Sequence, residues 1–233
     1  QRCERGSQRG VLATSRKQSS MTSPTLTPSE SWRRMKAGND RFVEGVQRHP
    51  RQDAERRSQI ESAQSPMAAL FGCADSRIAA EIIFDKGLGD LFVVRNAGQV
   101  ISSSVIGSLE YAVEVVGVPL IVVLSHDNCG AVAAAMEQDK PGSTPLPPHI
   151  GEITEAIAPA VQRVREAQGL QAGELEDHEA VGREHLRDTV STLLASSELI
   201  SDAVAIGKLA VVGANYTLAE GRVSPAVVIG ALD

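Results

Sequence analysis

Pro119-Leu120-Ile121-Val122-Val123-Leu124-Ser125-His126-Asp127-Asn128-Cys129-Gly130 reads as a strand running into a loop that carries a histidine and a cysteine. Its unbroken apolar run is what a strand buried on both faces of a parallel sheet requires. A second stretch repeats the arrangement, with Met67-Ala68-Ala69-Leu70-Phe71 followed by Gly72-Cys73-Ala74-Asp75-Ser76-Arg77. Parallel strands deliver the loops at their carboxyl ends to one crevice, so Cys73, His126 and Cys129 are candidates for a shared site. Two thiolates and one imidazole make three protein ligands, the number found at a catalytic zinc that keeps its fourth position for water.

Working outward, further strands are expected at residues 91–94 and 209–212, with an edge strand at 225–229. Helical patterns lie between them, notably over 102–116 and 183–205. This alternation predicts an α/β fold with a mainly parallel central sheet flanked by helices. Ahead of the first strand, Thr27-Pro28-Ser29-Glu30 fits a capping box with proline at the first helical position. The helical arm it opens places Trp32, Met35, Phe42, Val43 and Val46 on one apolar stripe. Residues 48–65 read as a basic, polar connection. The proline-rich stretch 139–148 reads as a loop, and the acidic stretch 151–184 as a peripheral excursion. No Gly-x-Gly-x-x-Gly follows any strand, which leaves a dinucleotide site without support.

At 233 residues the chain is long enough for one domain with a sizeable core. The division expected is a disordered or non-native tail over 1–26 and a single domain over 27–233. No apolar run approaches the roughly 18 residues of a membrane span. The first twenty residues hold five basic side chains (Arg2, Arg5, Arg9, Arg16, Lys17) against Glu4, while the whole chain has a net charge of −6. The remainder is thus acidic, which argues against nucleic acid and against basic docking on membranes. Cys3 lies in the tail, leaving Cys73 and Cys129, too few for a disulfide framework. Thiols meant for a metal must stay reduced, which favours the cytoplasm.

Cys73 alone, or His126-x-x-Cys129 alone, would be a weak signal. A disulfide between Cys73 and Cys129 is one alternative, and a Cys73–His126 nucleophilic dyad is another, though the dyad leaves Cys129 without a role. A cysteine-phosphatase loop would carry its arginine further from the thiol than Arg77 is. Three ligands on two strand ends beside an Asp-x-Arg pair are more specific.

Cys73-Ala74-Asp75-Ser76-Arg77, Arg95-Asn96-Ala97-Gly98 and His126-Asp127-Asn128-Cys129-Gly130 resemble the successive motifs of a beta-class carbonic anhydrase. The similarity runs from about Trp32 to the C-terminus and includes Gly213-Ala214-Asn215-Tyr216. It implies one zinc per chain held by Cys73, His126 and Cys129, and reversible hydration of carbon dioxide to bicarbonate and a proton by a zinc-bound hydroxide. Zinc lowers the pKa of bound water to about 7, which supplies that hydroxide near neutral pH. Asp75 and Arg77 would be the catalytic pair. Asp75 would accept a hydrogen bond from the hydroxide, and Arg77 would hold Asp75 off the metal. Freed from Arg77, Asp75 would compete for the zinc as pH falls.

The same resemblance places Gln64, Phe92, Tyr111 and Gly130 around the substrate, with some members supplying such residues across a dimer interface. A homodimer or homotetramer is therefore expected. Members with a second, inhibitory bicarbonate site carry tryptophan three residues before the first cysteine. Here that residue is Leu70, so the inhibitory site is not expected. Among the other histidines, His49 and His149 read as loop residues, and His178 and His185 as helix-surface residues. Rival readings are a carbon disulfide or carbonyl sulfide hydrolase on the same scaffold, and a non-catalytic zinc-binding protein. Because residues 1–20 offer no apolar face to bury, a chain starting at Met21 is expected to fold, assemble and act like the full one. Loss of assembly on gel filtration, or of activity, would show that the tail contributes.

Overall fold

The apolar runs extend past their predicted ends, into polar residues. β1 (Ala68–Cys73), β2 (Leu91–Asn96), β3 (Leu120–His126) and β4 (Ala210–Thr217) all do so. The ladder explains this, because backbone pairing is indifferent to side-chain polarity. Cys73 pairs with Asn96 and His126 with Tyr216 as regularly as the apolar residues before them. β5 (Arg222–Ile229) likewise begins before its apolar part. These elements come from a computed structural model, which describes residues 26–171, 174 and 177–232. Apart from Leu26, the tail expected over 1–26 lies outside the described residues.

The strand order is β2-β1-β3-β4-β5, with the first four parallel and β5 returning antiparallel beside β4. A mainly parallel sheet with an edge strand at its end is the architecture that the sequence predicts. From β1 the chain crosses to β2 on one side, then returns to β3 on the other. The reversal leaves a crevice at the carboxyl ends of β1 and β3, where open α/β sheets carry their sites.

Alternation along the strands builds two apolar layers. Leu70, Val122 and Val212 face Trp32 and Met35 of α1 (Pro28–Val43) and Ile83 of α3 (Ala80–Ile83). Phe71, Val123 and Val211 face Leu109 of α4 (Ser103–Tyr111), Leu186 and Leu193 of α7 (His178–Ser196), and Ile200 of α8 (Glu198–Ala205). Leu70 is fully inside the core.

Several details differ from the sequence expectation. The polar connection before β1 contains a short helix, α2 (Ala54–Gln59), started by Asp53, whose side chain accepts from the Arg56 N–H. The pattern over 102–116 is α4 followed by a π turn (Ala112–Val116), stopped by Gly117 at φ +80°. The pattern over 183–205 is two helices, because Ser197 leaves helical geometry and caps α8 at the Ile200 N–H. The stretch 151–184 is not peripheral. Most of it lies in α6 (Pro148–Gln168), which packs with α5 (Gly130–Gln138) and α7. Ile157, Ala160, Val161 and Val164 form a third apolar cluster with Cys73 and Cys129. On α1 the stripe buries Trp32 and Met35 and half-buries Phe42 and Val43, whereas Val46 lies past the helix and is exposed.

The arm is tied to the sheet by two buried polar side chains. Asn39 donates to the carbonyls of Gly221 (2.8 Å) and Ile83 (3.2 Å) and accepts from the Val223 N–H, pinning the β4–β5 hairpin. Asp85 accepts from Arg41 Nε at 2.6 Å and from the N–H groups of Arg48 and His49. Burial opposes the Asp85 charge, but Arg41 and the two N–H groups outweigh it and hold the carboxyl below its ordinary value. A carboxyl lowered on folding contributes its stability above the unfolded pKa of about 4 and loses it as pH falls further. Asp85→Asn is therefore expected to cost about 2 kcal/mol at pH 7 in urea unfolding. The gap from wild type is expected to narrow below about pH 4. An undiminished gap in acid would mean that the charge of Asp85 is not what holds the arm.

Candidate metal centre

Cys73 ends β1, His126 ends β3, and Cys129 stands at the N-terminus of α5. All three are buried, and their Sγ, imidazole nitrogen and Sγ atoms lie within 4.8 Å of one another. Both cysteines are free thiols, so the disulfide alternative is set aside. His126 Nδ1 faces the Asp127 carbonyl at 2.8 Å. Donation to that carbonyl fixes the tautomer and leaves the Nε2 lone pair facing inward. His126 Nε2 is buried and has no hydrogen-bond partner. An orphaned imidazole nitrogen beside two buried thiols is the donor set that suits zinc, and it leaves a tetrahedral ion one open position.

The two thiols titrate unequally. Contact with Cys129 and His126, and the N–H groups of Gly98 and Asp75, hold the Cys73 thiol low against its burial. The resulting charge, with burial, pushes Cys129 up, against the N–H groups of Val132 and Ala131 at the start of α5. Cys73 is thus the readier of the two to ionise, and a bound dication would favour loss of the second proton from Cys129.

Asp75 sits at the edge of this cluster, its Oδ2 4.0 Å from His126 Nε2. Arg77 grips it with Nε on Oδ1 (2.9 Å) and Nη2 on Oδ2 (2.7 Å), and the Arg77 N–H adds a bond to Oδ1. The guanidinium holds Asp75 well below the usual carboxylate range, so it is ionised throughout the working pH range. Arg77 Nη2 also reaches the Asn128 carbonyl at 3.1 Å, joining the loops after β1 and β3.

Gly130 opens α5 beside Cys129; it is exposed, and a side chain there would meet nothing within 4 Å. The other expected substrate residues are not brought to the cluster within one chain. Phe92 pairs with Ala69, four residues before Cys73, which puts it roughly 13 Å down the strand. Its ring packs on Tyr111, centroids 6.2 Å apart, and Tyr111 is half exposed. Gln64 is exposed and precedes β1, at the end opposite Cys73.

Several residues around the centre escape a reading of sequence alone. Arg95 donates to the carbonyls of Cys73 (2.9 Å) and Asp75 (2.7 Å), and Asn96 closes the turn to Val100 with two bonds. The motif Arg95-Asn96-Ala97-Gly98 was visible, but its clamping role was not. His178 and His185, expected on a helix surface, point inward from α7. His178 Nε2 lies 3.2 Å from the Cys129 carbonyl, and Glu179 accepts from the Asn128 N–H. His185 is buried, with Nε2 2.7 Å from the Gly98 carbonyl. Their spacing of two helical turns, in line with Val181, was the available signal.

Comparison with known proteins agrees with this geometry. The family model described as "Carbonic anhydrase" matches residues 68–223. Carbonic anhydrase 2 of Mycobacterium tuberculosis is 47% identical over 199 residues, 85% of this chain and 93% of the relative. A carbonic anhydrase of Mycolicibacterium smegmatis is 47% identical over 200 residues, 86% of this chain and 94% of the relative. The solved Coccomyxa beta-carbonic anhydrase in complex with acetazolamide superposes with a TM-score of 0.63 at 27% identity, covering 75% of this chain and 78% of that one. The chain belongs to the carbonic anhydrase family, in its beta class.

The purified protein is expected to hold about one zinc per chain by elemental analysis. Cys73→Ser, His126→Ala and Cys129→Ser should each lose most of it, since two remaining ligands compete poorly with solvent. Full retention in all three would remove the metal centre from this account.

Proposed function

We propose that the chain catalyses reversible hydration of carbon dioxide to bicarbonate and a proton, with zinc held by Cys73, His126 and Cys129. The observation that carries this is the Asp75 carboxylate, poised 4.0 Å from the orphaned His126 nitrogen and gripped by Arg77. A purely structural metal site would need neither an open position nor an orienting carboxylate.

When bound, zinc supplies a Lewis acid that makes water a nucleophile near neutral pH. An ionised carboxylate has only acceptor sites. Asp75 therefore accepts the proton side of the attacking oxygen and turns its lone pair toward carbon dioxide. Arg77 keeps Asp75 in that orientation and away from the cation. The Arg95 clamp on the Cys73 and Asp75 carbonyls fixes the backbone that carries both.

The reading includes a homodimer or homotetramer. Phe92 and Tyr111 form a partly exposed aromatic pair near the β2 edge, and β5 leaves an edge with Val228 exposed. A second copy along β2 would bring Gln64, Phe92 and Tyr111 to its neighbour's centre as apolar walls and an amide donor. No helix among the described residues is long and apolar enough to cross a membrane. A cytoplasmic setting fits two buried thiols kept for a metal.

Stopped-flow hydration of carbon dioxide on metal-quantified protein tests the function directly; zinc-loaded protein without activity would refute it. Arg77→Ala is expected to lower kcat/KM by roughly 10- to 100-fold at every pH between about 6 and 9 while zinc stays bound, because Asp75 loses its orientation. Near wild-type rates throughout would reduce Arg77 to a structural partner.

A further inference from the structure

Between β2 and α4 the chain makes a tight turn, Ala97–Gln99, with two consecutive residues at positive φ, Gly98 at +71° and Gln99 at +42°. Such a conformation persists only where surrounding contacts hold it. The contacts come from two sides. On one, a side chain at Gly98 would lie 2.7 Å from the Ala131 Cβ of α5 and 3.2 Å from Ile157 of α6, so the backbone itself is pressed against these helices. On the other, α7 sends two buried polar groups. His185 Nε2 meets the Gly98 carbonyl at 2.7 Å, and Thr189 Oγ1 faces the Gln99 carbonyl at 3.4 Å.

Held this way, Gly98 turns its N–H to the sulfur of Cys73 at 3.4 Å. An N–H on a thiolate spreads its charge and favours it over the thiol, and groups behind a metal ligand set that ligand's donor strength. We propose that His185 is a positioning residue for the metal centre: by anchoring the Gly98 carbonyl it aims the Gly98 N–H at Cys73 and so sets the strength of the Cys73–metal bond. The inference rests on the zinc reading above and goes beyond it, since the hydrogen bond His185 makes is to the Gly98 carbonyl and not to a metal-ligating atom. Burial lowers the pKa of His185, and Nε2, which faces the Gly98 carbonyl, is the nitrogen that donates. Its Nδ1 is buried without a partner, which leaves the ring a single anchoring bond.

The test compares His185→Leu, which fills space without a donor, with His185→Gln, whose amide retains one. Zinc affinity is read by chelator competition, and the Cys–metal bond by the thiolate-to-metal charge-transfer band of the cobalt-substituted protein. His185→Leu is expected to weaken zinc binding by roughly 10- to 100-fold and to shift the band, and His185→Gln to restore much of both. In cadmium-loaded wild type, NMR is expected to show scalar coupling between the metal and the Gly98 amide proton through the Cys73 sulfur. If the leucine variant does not fold, His185→Asn, whose shorter amide falls short of Gly98, gives the same readings. Wild-type zinc affinity and an unshifted band in a folded variant lacking the donor would overturn the proposal, as would absence of the Gly98 coupling. Failure of the wild type itself to bind zinc would instead overturn the metal centre.

Discussion

The parallel register between β1 and β3 is the constraint on which the centre depends. Gly72 lies opposite Leu124, so Cys73 and His126 end neighbouring strands one residue apart in register. A slip of one residue would exchange the faces of a whole strand. Here the slip is resisted on both faces, because Leu70 and Val122 belong to one core and Phe71 and Val123 to the other. The apolar pattern that makes these strands central therefore also fixes the ligand geometry. Cys129 then follows from the turn after His126, with Asn128 in a left-handed conformation at φ +51° bringing the chain back toward the cluster.

What the sequence makes legible follows from that dependence. The strands, their alternation with helices and the three ligands are local signals: apolar runs, and reactive residues directly after them. The supports are not local. Arg95 acts on Cys73 and Asp75 across a strand pair, and His185 acts on Gly98, far away in the chain. His178 reads as a surface residue because Asp177 and Glu179 flank it, and His185 because Arg183, Glu184, Arg187 and Asp188 surround it in sequence. On the outer side of α7, Glu184 and Asp188 pair with Arg163 of α6. The inner side carries Val181, His185, Leu186, Thr189 and Val190. The same masking hid α6, whose acidic residues obscure the buried row Ile157, Ala160, Val161 and Val164. Phe92 and Tyr111 were expected around the substrate only through the resemblance, and the fold packs them against each other. Their distance from the metal cluster of their own chain depends on strand position, which residue type does not reveal.

Charge balance ties the centre together. Two buried thiolates would repel each other strongly: the Cys73 charge, with burial, pushes the Cys129 thiol up. A divalent ion would cancel them. The Asp75 charge, close enough to add to the same cluster, is met separately by the Arg77 guanidinium. With a divalent ion bound, each anion would be matched by a cation, which would limit the cost of burying the centre. It also means that the pairing partners cannot be exchanged freely. On the proposed zinc reading, an Asp75 freed from Arg77 would keep Arg95 only at its backbone carbonyl, and its carboxylate would be free to turn toward a bound metal. On that reading the arginine two residues after the carboxylate would keep it off the metal, and the further bond of Arg77 to the Asn128 carbonyl ties this grip to the loop after β3 as well as to its own.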